Sequence, residues 1–188
     1  MSIDTFNSIL NDFAGRIGLA GLQIDPSGYC CLDVDHGTLV HLKHENKRDS
    51  MIIISEIGQI PEMNTGAVLR YLLRMNDNPE ESKGMTLSYN AESNNAAIGY
   101  QYPLEFLDVT KFEEFFKMFL DEVARWKQKM ESFMQGTLPD GEEAAGSDSS
   151  AAPSYSPGGV APEFMIGAQS FIISGVLLAL DSRRALPL

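Results

Sequence analysis

The residues able to act as ligands or nucleophiles crowd into one stretch: Cys30, Cys31, Asp33, Asp35, His36, His41 and His44. Three histidines within nine positions, beside two thiols, have the composition of a zinc or transition-metal site. Their spacing argues against one. The run YCCLDVDHGTLVHLKH reads as two short strands, Tyr29 to Asp33 and Thr38 to Leu42, joined by a turn at His36 and Gly37. Side chains alternate across a strand, so His41 and His44 face opposite sides while His36 sits in the turn. Cys30 and Cys31 also point to opposite faces, one of them into the core as a small apolar residue. Neither has a helix N-terminus or a defined basic partner to make it a nucleophile. Asp33 and Asp35 flank Val34 in the manner of a carboxylate pair, but they border a turn, where Asp is ordinary. Nothing in the sequence builds the pocket that would set their pKa values apart. No GxxxxGK[ST] occurs, and no GxGxxG joins a strand to a helix, so a nucleotide has no phosphate cradle. The expectation is no catalytic residue, no metal and no cofactor. An enzyme reading is confined to a small metal-dependent one using the histidines and cysteines.

These residues sit in a chain that alternates helical and strand periodicity. A first amphipathic helix spans about Ile3 to Ile17, with Phe6, Ile9, Leu10, Phe13 and Ile17 at three- and four-residue steps and Gly18 as its stop. After the hairpin, SMIIISEI predicts a strand in the middle of the sheet, covered on both faces. A second helix runs from Thr65 to about Met75, with Asn64 as N-cap, a Met63–Val68 staple and the stripe Val68, Leu69, Leu72, Leu73. The turn-rich NDNPEESKG leads to a second hairpin, MTLSYN and AAIGYQYP. A third helix opens with a Thr110–Glu113 capping box and carries Phe112, Phe115, Phe116, Phe119, Val123, Trp126, Met130 and Phe133 on one face. The order is α-β-β-β-α-β-β-α: an α+β fold with an antiparallel sheet of about five strands and three helices.

Composition narrows the function further. The chain has 188 residues and a net charge of −12, which repels nucleic acid and anionic lipid. Residues up to Leu138 carry 12 basic and 20 acidic side chains, so −8 of that charge belongs to the body. Adjacent cysteines exclude a disulfide scaffold and fit reduced cytosol, and MSIDTFNSIL has no basic n-region or apolar h-region of a secretory signal. Residues 1–135 are the expected folded body. Residues 136–163, rich in Gly, Ser, Pro and acid, read as disordered linker. Residues 164–188 begin with FMIGAQSFIISGVLLAL, which is 17 residues without a charge. Three origins stay open for it: an amphipathic or strand-forming, client-like segment docking on the body itself, a membrane anchor at the short limit of a span, or a fused, cloning-derived or frame-shifted extension. The helical stripes together hold more apolar surface than three helices on a small sheet can hide, which calls for a partner. A short stripe on the second helix suits a two-fold contact with its own copy.

FNSILNDFAGRIGLAGLQIDPSGYCCLDVD, DSMIIISEIGQIP, VLRYLLRMN, MTLSYN, AAIGYQYPLEFLD and FEEFFKMFLDEVARWKQ, in that order, resemble the class I chaperones of bacterial type III secretion, the Tir-chaperone (CesT-like) family. The resemblance covers Phe6 to about Lys129. It implies a cytoplasmic, bacterial, virulence-associated homodimer that binds the N-terminal segment of a secreted effector and keeps it soluble and secretion-competent without ATP. By position, the dimer contact implied is Val68, Leu69, Leu72, Leu73 and Met75. The effector contact implied is Phe6, Leu10, Phe13 and Ile17 with Leu32, Val34, Val40 and Leu42, some of which must instead be core. The resemblance also implies that effectors sometimes add a strand to a sheet edge. A regulator of the same fold, sequestering a small secreted regulatory protein, is the alternative. The uncharged tail departs from the family.

Overall fold

Phe6, Ile9, Leu10 and Phe13 fall on one side of a helix, and in the computed structural model they are the buried face of α1 (Ile3–Arg16). The structure describes residues 3–19, 22, 24–35 and 37–137, and the backbone of 170–173. The helix stops as expected: Gly18 takes a φ of +76°, and the Leu19 N–H reaches back to the Ala14 carbonyl at 2.9 Å. Next come β1 (Tyr29–Val34), β2 (Thr38–Glu45) and β3 (Ser50–Gln59), an antiparallel meander. Two helices follow, α2 (Thr65–Asn76) and the single turn α3 (Pro79–Ser82), which lies inside the stretch read as turn. The second hairpin is β4 (Thr86–Asn90) and β5 (Asn95–Pro103). A 3-10 turn at Leu104–Phe106 leads into the long α4 (Val109–Met134). A last strand, β6 (Ser170–Ile173), lies beyond the expected linker.

The strand order is β4-β5-β3-β2-β1-β6, with β3 central as its isoleucine run predicts. Five strands are antiparallel to their neighbours, and β6 joins β1 in parallel. One hydrophobic core holds Cys30, Leu32, Val34, Val40, Leu42, Met51, Ile53, Leu87 and Ile98 of the strands together with the apolar faces of α1, α2 and α4. All the helices named therefore pack on one face. That corrects the expectation that β3 is covered twice: Ile53 is fully buried, whereas Ile52 and Ile54, on the opposite face, stay half-buried. A bulge between Glu56 and Gly58 inserts Ile57 into β3 and keeps it in the core. Gly58 is required there, since its φ is +141° and a Cβ would meet Met130 Cβ at 3.0 Å.

Two helix starts differ from the sequence reading. Asn64 does precede α2, but in a left-handed conformation with no side-chain cap bond. Instead the Thr65 hydroxyl donates to the Pro61 carbonyl at 2.7 Å, and Met63 projects into solvent, so the staple does not form. At α4 the N-cap is Asp108, whose carboxylate accepts from the Lys111 N–H at 2.9 Å. Thr110 and Glu113 are not a capping box, because both are taken by Arg16 from the end of α1, at 3.3 and 3.0 Å. That contact ties the C-terminal end of one helix to the N-terminal end of another, with each charge complementing its helix dipole. Asp108→Ala is expected to cost about 1 kcal/mol of unfolding free energy, measured by urea titration, while Thr110→Ala costs about half that or less.

Candidate functional site

Of the ligand-bearing stretch, His36 lies outside the described residues. The others are separated as the strand alternation requires. His44 lies in the core side of β2, stacked on Phe6 at 5.9 Å, with Nε2 at 3.5 Å from Asp49 Oδ1. His41 is on the opposite face, where Nδ1 meets the Tyr29 hydroxyl at 2.7 Å. Burial pushes the His41 pKa down, partly opposed by Glu56. Burial, with Cys31, Cys30 and Asp25 nearby, raises Tyr29 to about 12. Cys30 packs in the core, and burial, then Cys31 and Asp25, lifts its thiol to about 12, which leaves no thiolate to act as nucleophile. Asp33 accepts the Gly37 N–H at 2.9 Å, an ordinary turn role. Among the described residues no cluster of three or more His, Cys, Asp or Glu is placed to hold a metal ion.

What the arrangement offers is surface for binding. Seven of the eight residues proposed for effector contact, Phe6, Leu10, Phe13, Leu32, Val34, Val40 and Leu42, are buried in the core of the protomer. Phe13 meets Phe112 and Phe116 edge-on at 4.9 and 5.3 Å. Ile17 is half-buried against the same cluster. Val34 differs from the rest because it also lines a cleft of about 100 Å³ with Asp35, Thr38, Leu120, Val123, Ala124 and Lys127. Lys127 closes one side by donating to Thr38 Oγ1 at 2.8 Å and the Gly37 carbonyl at 3.2 Å. Its pKa is lowered by burial against the pull of Asp33.

The helix-free face and the closure at β4 were not picked out from the sequence, whereas docking of a strand from the C-terminal segment was one of the origins left open for it. The helix-free face of the sheet carries Leu39, which is 46% exposed, and half-buried Ile52 and Ile54. Strand alternation held the signal: of three successive isoleucines, one set must face away from the core. The two sheet edges also differ. At β4 the Asn76 amide of α2 grips Leu87 from both sides, accepting its N–H at 2.7 Å and donating to its carbonyl at 2.9 Å. At Leu87, the buried residue of β4, that edge is stopped by the body itself. At β1 the edge is taken by β6, with Cys31, Leu32, Asp33 and Val34 opposite Ser170, Phe171, Ile172 and Ile173.

On α2 the candidate dimer residues divide by helix face. Val68 and Leu72 are buried against the body, and Leu69 and Met75 are half-buried. Leu73 stands 68% exposed. The expected disorder of 136–163 falls, apart from Gly136 and Thr137, outside the described residues, as do residues 164–188 except for β6. No helix among the described residues is long and apolar enough to cross a membrane.

Comparison with solved structures places this fold among known ones. The ExsC–ExsE complex matches with a TM-score of 0.62 at 21% identity, covering 74% of this chain and 98% of the other. The HopA1–SchA chaperone–effector complex gives 0.59 at 20%, covering 68% and 97%. The Yersinia pestis type III secretion chaperone SycH, in complex with a stable fragment of YscM2, gives 0.53 at 17%, covering 64% and 98%. A comparison with curated protein sequences gave no match. A family model for the Tir chaperone proteins aligns with residues 8–127, the span from α1 to near the end of α4. On that match the chain belongs to the Tir chaperone protein (CesT) family.

Proposed function

We propose that this protein is a type III secretion chaperone that holds the N-terminal segment of a secreted effector in extended form, as a homodimer in the bacterial cytoplasm and without ATP. The observation that carries this reading is the family match over 8–127, which takes in nearly the whole of the closed core. The chemistry agrees with it. An unfolded segment loses conformational entropy on binding, about 2–5 kcal/mol or more, so it needs many apolar contacts and main-chain hydrogen bonds spread along its length. A one-sided sheet supplies both kinds. Effector contact is assigned to Ile17 and to the cleft at Val34, with Phe6, Leu10, Phe13, Leu32, Val40 and Leu42 as the rigid floor beneath. The dimer contact is assigned to α2, where Leu73, Leu69 and Met75 meet their copies while Val68 and Leu72 hold the helix to its own body. The negative charge favours a basic client and keeps an apolar-patched protein in solution.

The test is co-purification from the native host followed by mass determination of the complex. The expected result is a dimer retaining a secreted protein through that protein's N-terminal segment, stable without nucleotide. A monomer at micromolar concentration that retains no secreted protein overturns the reading.

A further inference from the structure

The two edges of the sheet are treated differently by the same chain. The β4 edge is stopped at Leu87 by Asn76, a side chain of the folded body. The β1 edge has no such cover among the described residues of the body; a strand from far along the sequence, Ser170–Ile173, pairs with it over four residues. An edge strand left with unpaired N–H and C=O groups is a template for any extended chain. The sequence around β6, FMIGAQSFIISGVLLAL, is uncharged and contains the β-branched pair Ile172 and Ile173 within the strand, the chemistry of a segment that adds to a sheet. The parallel direction matters as well. β6 advances alongside β1 from Cys31 to Val34, so it ends beside the residue that lines the cleft with Leu120 and Val123.

We propose that Ser170–Ile173 is a built-in occupant of a strand-acceptor edge on β1, which an extended apolar client strand must displace in order to pair with Cys31–Val34. The proposal rests on the chaperone reading for the identity of the client, not for the occupancy itself. Its mechanism is competition by tethering. The 32 residues 138–169 join the segment covalently to the body, so it meets the edge intramolecularly, at an effective concentration above that of a strand free in dilute solution. A weak, ill-fitting apolar strand in solution then cannot occupy the edge, whereas a client that also fills the cleft and the surface near Ile17 displaces the tethered one. The device both protects the edge from nonspecific pairing and sets a threshold for clients.

The test compares the full chain with Phe171→Pro/Ile172→Pro, which removes two strand N–H groups and fixes two φ angles. Among the described residues the core runs from Phe6 to Phe133, and an unchanged near-ultraviolet circular dichroism spectrum checks that the substitutions leave that body intact. Amide hydrogen exchange across Cys31–Val34 is expected to speed up about ten-fold or more in the variant at the positions that β2 does not protect. A labelled peptide with the sequence of residues 167–176 is expected to bind the variant about ten-fold or more tightly than it binds the full chain. A chain cut after folding at a protease site placed within 138–169, then diluted, serves as a second route and is expected to show the same loss of protection. Equal exchange in all three samples overturns the proposal, and so does equal peptide affinity. Neither readout uses an effector, so a negative result leaves the chaperone reading to its own co-purification, and a failed co-purification leaves this result standing.

Discussion

Phe13→Ala is expected to lower the unfolding free energy by about 3–5 kcal/mol, the cost of removing a large aromatic ring from a packed interior. Phe13 has no exposed surface, and its ring is held edge-on by Phe112 and Phe116 of α4. These contacts join α1 to α4 along one line with the Arg16–Glu113 ion pair. Loss of the ring therefore opens a cavity that neither helix can close without giving up a polar tie. Denaturant titration of the full chain reads the effect directly. The measurement also sorts two roles, since the family resemblance offered Phe13 as an effector contact. A loss below about 1 kcal/mol accompanied by loss of client would place the ring in an open groove and not in the core. Ile17→Ala, at a half-buried position, is the companion: a smaller stability loss with weakened client retention is expected.

The second large effect falls on association. Leu73→Asp is expected to weaken dimerisation about 100-fold or more, while changing protomer stability by no more than about 0.5 kcal/mol. At a two-fold contact each substitution appears twice, so two carboxylates would be brought together in an apolar setting, unsolvated and mutually repelling. In the protomer alone Leu73 is 68% exposed, so an aspartate there finds water. Sedimentation equilibrium at micromolar concentration reads the change as a shift from dimer to monomer. Val68→Ala is the contrast, because Val68 is buried against its own body and its loss should appear in unfolding first. An L73D chain that stays dimeric would move the interface away from α2.

Much of the architecture could be read from periodicity, because each helix and strand buries one face in a single core. Phe6, Leu10 and Phe13 on α1, and Phe112, Phe116 and Phe119 on α4, announce themselves by spacing alone. Capping was less legible. A Thr110–Glu113 box is a strictly local pattern, and it yielded to Arg16, a residue 94 positions away from Thr110. The same long-range effect hid the Asn76 grip on Leu87, as nothing in a single helix says which amide will meet a strand edge. At the site, the separation of His41 from His44 followed from alternation. The burial of seven of the eight proposed effector contacts did not, since an apolar stripe has the same sequence whether its cover is the body or a partner. The α3 turn escaped because four residues carry too little periodicity to stand out from a loop.

The amide of Asn76 has one more implication, for counting. A ladder of strands stopped at one end can lengthen only at the other, so each subunit itself offers a further strand a single berth, on the β1 side. Titration should then saturate at one extended guest per subunit. Asn76→Ala would release the stop at Leu87, and the first sign should be concentration-dependent growth of larger species from a body whose fold is otherwise unchanged.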